Sequence, residues 1–226
     1  MTQLYDQILA AGPLDWLALT TSLAYVWLAA RDNNWCWLFA AVSTAVWAWQ
    51  SFFVYQLVSD GFLQLFYLVM AGVGIWRWSR LSTRRRARGS KAGFTGQRPD
   101  RKKLPDDEQL TTTPGIRTMT GPEHAYTLMF GLVGGYAMYL FVSGIFTSAA
   151  TLPDALTTAF SIATTFLLVY RRLENWLYWI IIDAVYVWIY LNTGAVLFAV
   201  MMVINIGMAV YGYFNWRREM RAPNTV

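Results

Sequence analysis

Seven stretches of about 20 mostly apolar residues, each long enough for a transmembrane helix, recur along the chain at 14–30, 35–55, 61–79, 124–147, 154–170, 175–191 and 195–216. Short polar breaks separate them, and the pattern predicts an all-α integral membrane protein with seven transmembrane helices. Residues 80–122 interrupt it. They contain Arg84-Arg85-Arg86, Arg101-Lys102-Lys103, Asp106-Asp107-Glu108, Thr111-Thr112-Thr113 and four of the seven prolines, without hydrophobic periodicity. A disordered cytoplasmic linker is expected there. Its charge reads first as solvated, with anionic lipid or nucleic acid as a lesser alternative; nucleic acid is not an expected partner. The domain plan is 1–79 as a first three-helix bundle, 80–122 as linker, 123–150 as a linking helix and 151–226 as a second three-helix bundle. Met1 to Pro13 contains Asp6 and no Lys or Arg, unlike the positive start of a signal peptide.

Seven crossings place alternate loops on opposite faces. One face would carry the N-terminus, the breaks near Asp60 and Asp154, and the Asn192-Thr193-Gly194 turn, with no Lys or Arg. The other would carry Arg31, the stretch from Arg77 through Arg117, Arg171, Arg172, Arg217, Arg218 and Arg221, which together hold all 18 basic residues. By the positive-inside rule the N-terminus lies outside and the C-terminus in the cytoplasm. An even number of helices would scatter these charges over both faces.

The chain also repeats itself. The first half reads Leu14-Asp15-Trp16-Leu17, helix, Asp32-Asn33-Asn34-Trp35, helix, Asp60-Gly61, helix, Gly74-Ile75-Trp76-Arg77-Trp78. The second reads Pro153-Asp154-Ala155-Leu156, helix, Leu173-Glu174-Asn175-Trp176, helix, Thr193-Gly194, helix, Gly212-Tyr213-Phe214-Asn215-Trp216. Aligning Asn34-Trp35 with Asn175-Trp176 superposes Trp47 on Trp188, and aligning Gly74 with Gly212 superposes Trp78 on Trp216. Two triplets with the same orientation, joined by one helix, form a 3+1+3 parallel repeat. Carriers built this way bind substrate near the midplane between the triplets. No proline interrupts a span, so opening is expected as rigid rocking of the triplets, flexing near Gly72, Gly74, Gly207 or Gly212.

Composition sharpens this picture. Only 14% of residues are charged, against about 25% in an average soluble domain, and 12 tryptophans suit a chain that meets a wet interface repeatedly. A single cysteine, Cys36, and a single histidine, His124, exclude an internal disulfide and a Cys/His zinc site. No metal, cofactor or catalytic residue is expected. A membrane-embedded enzyme using Asp183 as acid or base is a remote alternative, because no nucleophile, metal cluster or oxyanion donor accompanies it.

Asp183 is the single acid deep within a span, where an ionisable group is a functional hypothesis by default. At 100° per residue, Trp176, Trp179, Asp183, Tyr186 and Tyr190 fall within roughly 80° of one helix face. An acid flanked by aromatic rings suits a flat cationic ring. The alternative is that Asp183 is protonated or bonded to a neighbouring Tyr or Trp, and merely pins two helices. Asn205 lies mid-span on the last helix; Tyr67 is its repeat equivalent, and Gln64 neighbours Tyr67. Amides and phenols suit ribose hydroxyls and a carboxamide, but they can equally serve as interhelical glue. Trp47 shares a stripe with Ser43 and Gln50, of which Gln50 reads as structural. The helix 5 residues Thr157, Thr158, Ser161, Thr164 and Thr165 read as packing.

The run Leu173-Glu174-Asn175-Trp176-Leu177-Tyr178-Trp179-Ile180-Ile181-Ile182-Asp183 through Gly194 to Tyr211-Gly212-Tyr213-Phe214-Asn215-Trp216 resembles the PnuC nicotinamide riboside transporters. Asn34-Trp35-Cys36-Trp37 and Asp60-Gly61-Phe62-Leu63-Gln64 resemble that family's weaker N-terminal signature. The resemblance covers nearly all of the chain except the linker, and it implies a fold related to the SWEET carriers. It further implies a multi-pass carrier of the bacterial inner membrane that takes up nicotinamide riboside by facilitated diffusion. Uptake would be secured by a separate kinase that traps the product, and the protomers would associate as homotrimers. Thiamine, and less so riboflavin, are the alternative small-molecule vitamin substrates. Nicotinamide riboside and thiamine carry a cationic ring; riboflavin does not.

Overall fold

A computed structural model of the chain describes residues 2–54, 58–95, 115–145 and 152–221. Among these residues the secondary structure is helical apart from one isolated parallel bridge between Arg117 and Arg172. The elements are α1 (Thr2–Ala10), α2 (Pro13–Ala30), α3 (Cys36–Phe53), α4 (Val58–Thr95), α5 (Gly121–Met129), a π-helical turn at Phe130–Gly134, α6 (Gly135–Ile145), α7 (Leu152–Val169), α8 (Asn175–Thr193) and α9 (Val196–Arg221). Within the described residues each expected apolar stretch is essentially helical, 124–147 across α5, the π-helical turn and α6. Among the described residues four helical segments, Cys36–Phe53, Gly121–Gly144, Leu152–Val169 and Val196–Arg221, are long and apolar enough to cross a membrane. Helices α2 and α8 have similar length, at 18 and 19 residues, but their Trp, Tyr and Asp side chains lower their hydropathy.

Local chemistry sets the helix ends. Pro13 opens α2, where its missing N–H is no loss, and the Asp15 carboxylate accepts the Gly12 N–H at 2.8 Å. Gln50, buried on α3, donates to the same Asp15. Thr120 and Glu123 form the corresponding capping pair at α5, with the Thr120 N–H on Glu123 Oε2 at 2.8 Å. Gly194, at φ 77°, ends α8 in the left-handed conformation that glycine adopts without strain.

Two features depart from the sequence expectation. Helix α1 was not anticipated; its Gln7 straddles the α8–α9 turn, donating from Nε2 to Gly194 O at 2.7 Å and accepting the Leu197 N–H at 2.8 Å. Helix α4 includes Asp60-Gly61, expected as a break, in its first turn and runs past residue 79, the expected start of the linker, to Thr95. Arg, Leu, Ala and Ser fill this extension, and no proline stands before Pro99 to stop it. The remainder of the expected disordered linker, 96–114, lies outside the described residues. Its return is ordered: the Arg117 N–H bonds Arg171 O at 3.1 Å, the Leu173 N–H bonds Arg117 O at 2.8 Å, and the Met119 N–H bonds Glu174 Oε2 at 2.7 Å. Glu123 pairs with Arg172 beside this junction.

Around the α2–α3 and α7–α8 turns the two halves match at positions 139 apart. Asp32 and Arg171 are both left-handed, at φ 51° and 58°. In the first half the Asp32 and Asn33 N–H groups return to Ala29 O and Leu28 O; in the second the Arg171 and Arg172 N–H groups return to Leu168 O and Leu167 O. This register corrects the Asn-Trp alignment by two residues. Trp37 and Trp176 occupy equivalent places, 1% and 2% exposed, whereas Trp35 is 65% exposed. Trp49 rather than Trp47 then answers Trp188; both are more than half exposed.

Four tryptophans form the centre of the core. Trp37 meets Trp78 edge-on with centroids 5.3 Å apart, and Trp176 meets Trp216 edge-on at 5.4 Å. Trp78 and Trp216 join the two pairs at 6.0 Å. Edge-to-face geometry sets the positive ring edge against the negative face, worth about 0.5–1.5 kcal/mol per pair beyond burial. Gly74 and Gly212, expected as flexing points, are instead filled: Trp37 lies on Gly74 and Trp176 on Gly212. The halves touch where α9 packs on α2 and α4 on α7. Across that seam Trp78 Nε1 donates to Val169 O at 3.2 Å, Trp216 Nε1 to Ala29 O at 3.0 Å and Asn215 Nδ2 to Ala30 O at 3.1 Å. Arg171 pairs with Asp32 beside them, and the two side chains are 5% and 6% exposed. Burial pulls the Arg171 pKa down to about 10, opposed by nearby Glu219, so the guanidinium stays cationic at neutral pH. It also stands 4.4 Å over the Trp78 ring.

Candidate functional site

Between the two halves lies a cavity of about 630 Å³, within the usual range for small-molecule sites. It extends from Leu63, Thr193 and Ala195 at the α8–α9 end to the Trp37 and Trp176 rings at the other. All nine residues singled out from the sequence line it: Trp47 from α3, Gln64 and Tyr67 from α4, Trp176, Trp179, Asp183, Tyr186 and Tyr190 from α8, and Asn205 from α9. They converge because the α8 stripe is one helical face, and because equivalent stripes of the other half are turned toward it by the repeat.

Asp183 is 6% exposed and has no hydrogen-bond or salt-bridge partner among the described residues. The alternative in which it pins two helices through a Tyr or Trp therefore has no bond to support it here. Among the described residues lining the cavity there is no Lys or Arg to neutralise it. A buried carboxylate without a counter-charge is costly, and a cationic guest offsets that cost.

Aromatic rings form a continuous run at the α8–α9 end. Tyr186 and Tyr190 are stacked at 5.7 Å and 17°, Tyr190 meets Phe198 at 5.5 Å, and Phe198 meets Trp47 at 5.9 Å. This run joins the first half to the second across the cavity, one turn of α8 beyond Asp183. Trp179 is half-buried between it and the core. Trp176, read from sequence as a flank of the acid, is part of the cavity floor and is seated against Gly212 and Trp216.

The polar inventory is small. Asn205 makes no hydrogen bond among the described residues, and its Oδ1 is buried without a partner. Gln64 likewise has none among them, which leaves the interhelical-glue reading of both amides without a bond. The indole N–H groups of Trp37 and Trp176 are also buried without partners. An unmet buried polar group costs about 1–3 kcal/mol, so an apolar wall carrying two idle donors and an idle acceptor is arranged for a guest with complementary groups. Gln50 does not line the cavity, in keeping with its structural bond to Asp15.

Sequence reasoning missed Trp37, which enters as the repeat partner of Trp176. Neither sequence anchor finds it: Gly74 on Gly212 sets Trp37 against Asn175 and Asn34 on Asn175 sets it against Tyr178, whereas the turn bonds give the offset of 139 that pairs it with Trp176. Tyr25 and Ser22 of α2 were missed too, along with the contribution of Ser161 and Thr165, read as packing, to the α7 wall.

Comparison with known proteins places this geometry. The family model described as "Nicotinamide mononucleotide transporter" matches residues 12–218. The fold is similar to a solved structure described as "Crystal structure of the Vitamin B3 transporter PnuC", with a TM-score of 0.65 and 20% sequence identity, over 97% of this chain and 89% of that one. No curated protein matches the chain.

Proposed function

The chain belongs to the nicotinamide mononucleotide transporter family, and we propose that within it this member carries the nucleoside, nicotinamide riboside, rather than the nucleotide. The observation that carries this reading is Asp183: an unpartnered acid in a cavity walled by aromatic rings, with no Lys or Arg among the described lining residues. A pyridinium ring brings the missing positive charge and a flat face for Trp179, Tyr186 and Tyr190. A mononucleotide adds a phosphate of about −1.5 to −2 charge, which would enter beside a carboxylate with no cation to receive it. Asn205, Gln64 and the indole donors of Trp37 and Trp176 match the ribose hydroxyls and carboxamide.

The topology belongs to the same proposal. The chain crosses a bacterial inner membrane seven times as a 3+1+3 parallel repeat, with its N-terminus outside and its arginine-rich face in the cytoplasm, and it assembles as a homotrimer. Transport is facilitated diffusion by rocking of the two halves. A separate cytoplasmic kinase traps the product.

The test is calorimetric binding of nicotinamide riboside, nicotinamide mononucleotide, thiamine and riboflavin to the purified protein and to Asp183→Asn. Tight binding of the riboside that is lost with the carboxylate supports the proposal. Equal or tighter binding of the nucleotide overturns it. Preference for thiamine keeps the cationic-ring chemistry and reassigns the substrate.

A further inference from the structure

The cavity has unlike ends. Toward the α8–α9 turn it reaches Thr193, which is exposed. Toward the α7–α8 turn it stops at Trp37 and Trp176, both almost wholly buried. Beneath that floor lie the contacts that cross from one half of the molecule to the other: Arg171 with Asp32, Trp78 with Val169, Trp216 with Ala29, and Asn215 with Ala30.

We propose that the Arg171–Asp32 ion pair and the two crossed indole bonds form a latch that closes the cavity on its arginine-rich side and parts when the cavity opens there. This inference rests on the transport reading above.

Its chemistry suits a contact that must break repeatedly. Ala29, Ala30 and Val169 stand at the ends of α2 and α7, where carbonyls lack intrahelical donors; Ala29 O takes the Asp32 N–H of the turn and keeps a second lone pair for the indole. An indole or a water molecule satisfies them nearly equally, so parting exchanges one partner for another. The ion pair behaves likewise. Its attraction in the closed seam is opposed by the desolvation of both charges, and opening returns that hydration. Apolar side chains of similar size would hold the seam shut with no such compensation. The left-handed backbone at both Asp32 and Arg171 delivers the two side chains from equivalent turns onto one another, so the latch sits on the repeat's own axis and restrains both halves together.

The protein carries its own reporter. Cys36, its one cysteine, opens α3 directly beside the floor and is 0% exposed. Labelling with a membrane-impermeant maleimide is measured in inside-out vesicles, which present the arginine-rich face, and in right-side-out vesicles. The variants are Asp32→Asn, Arg171→Gln and the charge swap Asp32→Arg with Arg171→Asp. A latch predicts at least tenfold faster labelling of the single variants from the arginine-rich face, no change from the other, and recovery of protection in the swap. Native labelling rates in the single variants overturn it. Equal gains from both faces also overturn it, because they mark a pair that merely holds the fold. The assay needs no substrate, so its outcome is independent of which vitamin is carried.

Discussion

Trp176 is seated so closely on Gly212 that a Cβ there would stand 2.8 Å from its indole, and Trp37 covers Gly74 in the other half more closely still. The repeat thus uses one packing device twice, a tryptophan on one helix filling the notch left by a glycine on the next. Such a notch tolerates no methyl group. Gly74→Ala and Gly212→Ala are each expected to destabilise the protein by about 1–3 kcal/mol, the usual cost of overpacking a dense core. Gly72→Ala is the control, since nothing lies within 4 Å of its missing Cβ, and it should be neutral or slightly stabilising through helix propensity. Thermal unfolding in detergent distinguishes the three.

Asp183→Asn removes the charge and keeps the shape. A charge-assisted contact contributes about 1.5–3 kcal/mol, so riboside affinity should fall by about 10- to 100-fold. The native affinity should also decline as the pH is lowered through the titration of this carboxyl, because the protonated acid no longer attracts a cation. In Asp183→Asn that pH dependence should vanish. Calorimetry at a series of pH values reads both effects.

Asn205→Leu separates a ligand contact from a structural bond. With no hydrogen bond to lose among the described residues, the variant should unfold at or slightly above the native temperature, as replacing an unmet polar group by an apolar one of similar size is neutral or favourable. Riboside binding should nevertheless weaken by about 1–2 kcal/mol if the amide meets a ligand hydroxyl. A variant that loses stability and retains affinity would assign Asn205 to helix packing.

Replacement of residues 97–113 by a glycine-serine segment of equal length, which keeps the reach from Thr95 back to Gly115, should leave uptake of the labelled substrate within about twofold of native in reconstituted vesicles. Helix α4 ends at Thr95, and the returning segment is fastened by its own contacts at Arg117 and Met119. Loss of flux would show that Arg98 and the Arg101-Lys102-Lys103 cluster act in function.

Much of the site was legible because one residue was conspicuous: an acid in the middle of an apolar stretch draws attention, and helical spacing then nominates its aromatic neighbours. Trp37 was not legible in that way. It stands in an aromatic-rich run with Trp35, and burial, which separates the two, is decided by the partner helix rather than by local sequence. The same ambiguity displaced the repeat register by two residues. Helix α1 carried no signal because its nine residues are too few for a span, and its role emerges through Gln7, which reaches a turn 187 residues away. The Arg171–Asp32 pair, 139 residues apart, depends on two left-handed turns that neither Asp nor Arg announces. The extension of α4 was hidden by charge, which the eye reads as loop although arginine is a good helix former.

Arg117 is fastened to the α7–α8 turn through its main-chain N–H and carbonyl. An attachment made of peptide groups is indifferent to the side chain that bears them. Proline at position 117, which has no N–H to give to Arg171 O, would therefore lose one of the two main-chain bonds that fasten the chain's re-entry into the bundle.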